Sequence, residues 1–237
     1  MQRVGRIVAL ILDEMEDATR AGITTAALDA VGETAMKRHG VRSAPQREYG
    51  FPGFTCISIN DEIVHGVPGD RTLLAGDVVK IDVTAELDGY VADAARTVFV
   101  AKPAERARRL RECAVAALSA AIDAAHAGQP VSVIGRAVER CTRRDGFAVI
   151  RELCGHGVGR RIHEPPHVPN YEDRWSGDVL TEGLVIAVEP MLAERSCRPV
   201  QGADGWTITT GNGALAVHQE HTVVVRAGRA HILTTAA

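Results

Sequence analysis

Three histidines, His156, His163 and His167, fall within the stretch "GHGVGRRIHEPPHVPN" at 155–170, beside Glu164. Neutral imidazole offers a lone pair to a metal near neutral pH, but two ligands on one helix would sit about four residues apart, as in HExxH. The gaps here are seven and four. A helical turn between His163 and His167 is closed off, because Pro165, Pro166 and Pro169 remove donors and favour extended backbone. The stretch reads as strand and loop, compatible with a metal or catalytic site and equally with a polar loop.

Carboxylates say more. Asp82 ends the run "VVKID", and Asp93 follows the turn dipeptide Asp88-Gly89 and precedes "RTVFV". A hairpin looping at 87 and 88, or at 86 to 89, sets the two acids opposite each other on one sheet face, with Cβ atoms about 5 Å apart. Like charges there destabilise the sheet unless a proton is shared, a metal binds, or the register slips by one and frees one acid to solvent. Glu189 in "LVIAVEPM" and Glu220 in "VHQEHTVVV" form a second pair, both expected inside apolar strands where an unpaired charge is expensive. Four carboxylates with a histidine suit two divalent metal ions, whose charge balances theirs. Such ions, roughly 3.5–4 Å apart, lower the pKa of water from 15.7 to about 7 and stabilise both sides of a displacement. That is hydrolase chemistry.

The elements that position these residues repeat. Val4, Ile7, Val8, Ile11, Leu12 and Met15 form the stripe of an amphipathic helix. A second helix is expected from a Thr24-Thr25 cap to Gly40, with Leu28, Val31 and Ala35 inward. After Pro103 a third carries Leu110, Cys113, Ala114, Ala117, Leu118, Ala121 and Ile122 on one face and closes at Gly128, and Ser132 caps a fourth running to about Asp145. Each helix pair leads to "HGV", at His65-Gly66-Val67 and at His156-Gly157-Val158. Each then leads to a glycine with an acid six residues on, Gly76 to Asp82 and Gly183 to Glu189. This order predicts an internal duplication, with halves about 1–102 and 103–237 joined in a single catalytic domain, 1–237.

The chain has 237 residues, a formal charge of −3, 46% hydrophobic and 24% charged residues, so it can bury a core and shows no global basic surface for nucleic acid. "RARRLR" at 106–111 reads as a solvated helix face. Five cysteines without CxxC spacing predict neither a disulfide framework nor a thiolate zinc site. The apolar run "IVALIL" leads into acids instead of a cleavage site, and no run is long enough to span a membrane, which predicts a cytoplasmic protein.

The motifs "CISINDEIVHGVPGD", "VVKIDVTAELDGYVAD", "GHGVGRRIHEPPHVPN", "VIAVEPM" and "QEHTVVV", in this order over most of the chain, resemble the type I methionine aminopeptidases of short bacterial form, in the pita-bread metallopeptidase superfamily. The resemblance implies an α+β pita-bread fold, in which a central curved antiparallel sheet is flanked by helices around a pseudo-twofold. It implies N-terminal methionine excision from nascent chains and peptides with a small second residue, through attack of a dinuclear-metal-bound hydroxide on the scissile amide. Asp82, Asp93, His156, Glu189 and Glu220 would be the metal ligands, with Asp93 and Glu220 bridging and Glu189 moving protons. The metals would be two of Co, Mn, Fe, Zn or Ni. His65 and His163 would act on the substrate, and Cys56, Phe51, Ile162 and Trp206 would line the methionine pocket, while His167 inherits no role. The implied partners are peptide N-termini and the ribosome, and the expected state is a monomer. Glu48 replaces an aromatic residue, Pro45 a small one, and Ala94-Ala95 hydroxyl residues, changes that bear on selectivity and metal affinity. The chain also starts within its first helix and lacks the zinc-binding extension of longer relatives. An Xaa-Pro aminopeptidase or dipeptidase shares the five ligands but carries a further N-terminal domain. A non-catalytic pita-bread binding protein would have lost ligands.

Overall fold

The computed structural model describes residues 1–175 and 177–236. The first half runs α1 (Gln2–Ala18), α2 (Thr25–His39), β1 (Arg42–Ser43), α3 (Ala44–Tyr49), β2 (Cys56–Ile59), β3 (Glu62–Val64), β4 (Val78–Leu87) and β5 (Tyr90–Phe99). The second runs α4 (Glu105–Ala124), α5 (Ser132–Asp145), β6 (Ala148–Val149), β7 (Cys154–Gly157), β8 (Glu164–Pro169), β9 (Val185–Val188) and β10 (Met191–Ala193). It continues through β11 (Val200–Gln201), β12 (Ile208–Thr209), β13 (Ala216–His218), β14 (His221–Val224) and β15 (His231–Ile232). Helices and antiparallel strands together make the expected α+β architecture. Among the described residues no helix is long and apolar enough to cross a membrane.

The apolar stripe of α1 and the inner face of α2 pack on β2, β4 and β5 through Val8, Ile11, Leu28, Ile57, Val79, Ile81 and Val98. A second core lies under α4 and α5, where Leu110, Ala117, Ile134 and Val138 meet Val168, Ile186, Val188 and Val223. At the start of α2 the Thr24 hydroxyl accepts from the Ala27 N–H at 3.1 Å, and Gly40 closes the helix in the left-handed region at φ 67°. Val31, half-buried, packs against the first core as expected. Other expectations need correction. Helix α4 ends at Ala124, and Gly128 belongs to the following turn, where its N–H donates to Leu180 O. Ser132 is the first residue of α5 and caps nothing, because Val131 holds the cap position without a side-chain bond.

Helix α3 was not foreseen, although its signals were present: the Ser43 hydroxyl accepts from Gln46 N and Pro45 sits in the first turn. The repeated "HGV" has a steric cause in both halves. A Cβ on Gly66 would lie 2.2 Å from Ile57 O, and one on Gly157 would lie 2.1 Å from Pro165 O. Only hydrogen fits where a neighbouring strand passes that close.

The halves are stitched where β5 meets the segment at 218–222. The Asp93 N–H donates to the Thr222 hydroxyl at 2.9 Å, and that hydroxyl donates back to Asp93 O at 2.7 Å. Two residues along, the Glu220 N–H donates to Ala95 O at 2.9 Å. Two further along, the Thr97 hydroxyl donates to His218 O at 2.7 Å and accepts from His218 N at 3.0 Å. Alternate residues therefore bond across the seam in antiparallel order, with threonine hydroxyls standing in for missing ladder groups.

Candidate active site

The Asp88-Gly89 dipeptide forms the two-residue loop between β4 and β5, with φ 53° and 80°. Two positive φ values define the turn whose twist suits a tight hairpin. This loop lies one position later than the expected one, so Asp82 pairs with Ala95 and Asp93 with Thr84. The two acids are diagonal neighbours instead of direct opposites. Because the register differs by two residues and not one, they keep a common face. The Thr84 hydroxyl donates to Asp93 Oδ1 at 2.8 Å and orients that carboxylate.

Glu189 and Glu220 also sit differently from expectation, at breaks between strands and not inside them. Strands β9 and β14 pair through Val188–His221, and β10 and β13 resume the same register at Met191–His218. Carried through the gap, that register places Glu189 opposite Glu220. The two acids occupy an interruption in one ladder, which Gln219 N bridges by donating to Pro190 O at 3.3 Å, and both are buried.

His156 on β7 completes the set. Its Nδ1 lies 2.9 Å from Gly157 O, which fixes Nδ1–H as the donor and leaves the Nε2 lone pair pointing at Glu189 Oε1, 3.3 Å away. Asp93, His156, Glu189 and Glu220 are buried, while Asp82 is half-buried at the cleft wall with its Oδ1 enclosed. His218, overlooked in the sequence, is buried beside them, with Nε2 3.3 Å from Glu189 Oε2 and 3.8 Å from Glu220 Oε2.

Two groups of three bring ligand atoms within 4.8 Å of one another: Asp82, His218 and Glu220, and Asp93, His156 and Glu220. Burial raises all four carboxyls. Asp82 and Glu220 rise well above the usual range, with neighbouring acids adding to the effect, and Glu189 is pushed up to about 8. Asp93 rises least plainly, because His156 opposes its desolvation. Among the described residues, Asp82 Oδ1 and Glu220 Oε1 have no hydrogen-bond partner. Buried carboxylate oxygens without donors are costly, and a divalent cation is the partner that satisfies several at once. The residues present therefore fit divalent metal.

Two cavities meet at this acidic wall. One, of about 490 Å³, is lined by Cys154, Glu164, His167 and Met191 among others. The other, of about 180 Å³, is lined by Pro45, Tyr49, Phe51, Cys56, Ile162 and Trp206. Both are bordered by His65, Asp82, Asp93 and His163. Phe51 and Trp206, far apart in the chain, meet edge-to-face at 5.3 Å. Glu48 is not on the wall of the smaller cavity. Its carboxylate accepts from Ile162 N at 3.2 and 3.4 Å, holding the loop that carries Ile162 and His163. His65 and His163 are exposed to the cleft, unlike His156. Both are nevertheless pushed down to about 4, His65 by desolvation and then His218, His163 by desolvation and then the neighbouring imidazoles. His65 also holds a left-handed backbone at φ 58°, a strain that concentrates at functional sites. Tyr49, overlooked in the sequence, places its hydroxyl 2.7 Å from His163 Nδ1. His167 stands at the rim with Nδ1 3.7 Å from Cys154 Sγ.

Converging buried acids with unsatisfied oxygens, an oriented imidazole and a cleft open to substrate define a metal-dependent hydrolase. The sequence profile of metallopeptidase family M24 matches residues 1–227, and the chain belongs to that family. It is 40% identical over 236 residues to methionine aminopeptidase 2 of Bacillus subtilis, covering 99% of this chain and 95% of the relative. The crystal structure of methionine aminopeptidase from Thermotoga maritima superposes with a TM-score of 0.96 at 35% identity, covering 99% of this chain and 95% of that one. Prolidase from Pyrococcus furiosus superposes at 0.79 with 25% identity, over 99% of this chain but 62% of its own. The architecture is thus the pita-bread fold, and the chain is an enzyme, a hydrolase that uses divalent metal.

Proposed function

We propose that this enzyme removes N-terminal methionine from peptides and proteins whose second residue is small. The observation that carries the reading is the junction of the two cavities at His65, Asp82, Asp93 and His163. A substrate spanning it would place one apolar side chain in the smaller cavity and its scissile amide against the acidic wall. Phe51, Cys56, Ile162 and Trp206 provide a surface suited to an unbranched thioether. Similarity to methionine aminopeptidases over nearly the whole chain supports this choice above an Xaa-Pro peptidase.

Asp82, Asp93, His156, Glu189 and Glu220 would hold two divalent ions, drawn from Co, Mn, Fe, Zn or Ni by availability. Bound there, the ions supply Lewis acidity, lowering the pKa of water toward about 7 and polarising the scissile carbonyl. Glu189, as the carboxylate that bound cations would favour, would accept a proton from the attacking water and return it to the leaving amine. With the Tyr49 phenol donating to Nδ1, neutral His163 keeps its proton on Nε2 and aims it at the carbonyl oxygen as charge develops. His65, which borders both cavities with His163, would contact the scissile amide. The whole chain acts as one catalytic unit. We place it as a monomer in the cytoplasm, where a reducing medium suits its five free cysteines, acting on chains emerging from the ribosome.

Steady-state assays with Met-Ala-Ser, Met-Gln-Ser and Ala-Pro-Ala test the function. Met-Ala-Ser is expected to lead both others by at least about tenfold in kcat/KM, the scale on which small pockets discriminate. Preference for Ala-Pro-Ala would overturn the reading. Tyr49→Phe is expected to lower kcat by about tenfold with little change in KM, the size of one positioning hydrogen bond. In a His163→Ala background the same change should have no further effect, and full additivity would remove Tyr49 from this role.

A further inference from the structure

His218 presents a group that the five-ligand scheme does not use. It is 1% exposed, and neither ring nitrogen has a hydrogen-bond partner among the described residues, the Glu189 oxygen at 3.3 Å lying off the line a bond requires. A buried imidazole left in this way is destabilising unless something satisfies it. Its backbone is fixed on both sides, N–H and C=O each bonded to the Thr97 hydroxyl, which anchors the residue beside the cluster.

The position of the ring is informative. His218 falls in the group with Asp82 and Glu220, while His156 falls in the group with Asp93 and Glu220. Each group therefore offers two carboxylates and one imidazole, and Glu220 belongs to both. His156 Nε2 and His218 Nε2 lie 3.3 Å from the two different oxygens of Glu189, so the two rings flank that carboxylate.

We infer that His218 is a sixth protein ligand, supplying through Nε2 an imidazole to the divalent ion held by Asp82 and Glu220. This rests on the metal-binding reading of the site and deepens it. The ion on the Asp82 side then loses the all-oxygen environment that the other acids alone would provide. Nitrogen donors favour first-row transition metals over magnesium, so both positions select the same class of ion.

Paramagnetic proton NMR of the full chain loaded with two equivalents of Co²⁺ tests the inference without reference to turnover. Two strongly shifted, exchangeable imidazole N–H resonances are expected in the parent protein. His218→Gln and His218→Ala should each lose one and keep the other, and His156→Ala should lose the one they keep. Calorimetric titration of both His218 variants should show one of the two ions bound at least about tenfold more weakly. A parent spectrum with a single shifted N–H, unchanged in the His218 variants and absent in His156→Ala, overturns the inference and leaves the metal centre intact. Absence of any shifted imidazole resonance removes both. Since the parent spectrum alone distinguishes one imidazole from two, the test survives even if a variant fails to fold.

Discussion

Glu220→Ala is expected to lower kcat/KM by roughly 10³-fold or more, which corresponds to about 4 kcal/mol of lost transition-state stabilisation. Glu220 is 2% exposed and is shared by both ligand groups, so its removal takes an oxygen from each. Its backbone N–H remains bonded to Ala95, which keeps the surrounding seam in place and limits the damage to the side chain. Titration of the metal-free variant with Co²⁺ should show at most one ion bound with the parent's affinity. Two ions bound as tightly as in the parent would sink the shared-ligand assignment. The metal-free protein should respond in the opposite sense to Glu220→Gln, melting higher than the metal-free parent. A neutral amide removes the cost of keeping a proton on a carboxyl whose ionisation burial and three neighbouring acids oppose.

Metal should stabilise this protein more at pH 8 than at pH 6.5. A glutamate in the unfolded chain ionises near pH 4.3, whereas folded, metal-free Glu189 keeps its proton to about 8. Between those values the folded state binds more protons than the unfolded one, so stability falls as pH rises, and the loss is complete above the folded value. Asp82, Asp93 and Glu220 shift in the same direction. His65, His163 and His218, pushed down to about 4, act oppositely, but their contribution is finished once the unfolded imidazole has titrated near 6.5. Buried Lys80, pushed down to about 7, raises stability with pH above that value. Its Nζ donates to Asn60 O and its charge reaches His218, so bound metal disfavours protonated Lys80 and its contribution to the metal-induced gain has the same sign as that of the acids. Metal must displace the protons that the acids retain at pH 6.5. The metal-induced gain should therefore grow by about 1.4 kcal/mol per pH unit for each proton released. Thermal unfolding with chelator and with Mn²⁺ at the two pH values measures it, and a gain independent of pH would contradict protonated acids in the empty site.

Much of this arrangement was legible because periodicity and turn chemistry are local. The α1 stripe, the Thr24 cap and the duplicated "HGV" could be read directly, and the structure explains the repeated glycines by close strand approach. The hairpin error was avoidable, since the Asp-Gly dipeptide itself identifies 88 and 89 as the loop. His218 carried a readable signal as well: it stands two residues before Glu220, on the same side of an extended segment. Helix α3, and with it Tyr49, was announced by Ser43 and Pro45 but is too short for a hydrophobic period to develop. What the sequence could not display was the edge-to-face meeting of Phe51 with Trp206, or the placing of the Glu189 and Glu220 pair at a break between strands. Both depend on how distant strands register, a property of the folded sheet and not of any one segment.

The threonine-bonded seam between β5 and residues 218–222 has a dynamic consequence. Asp93 belongs to one lobe and Glu220 to the other, and they stand on neighbouring rungs of the same junction. Sliding one side of the seam past the other by a single residue, about 3.4 Å, would pull apart Asp93 and Glu220, whose ligand atoms lie within 4.8 Å of each other. The same bonds that join the sheet segments thus fix the spacing of the two carboxylates.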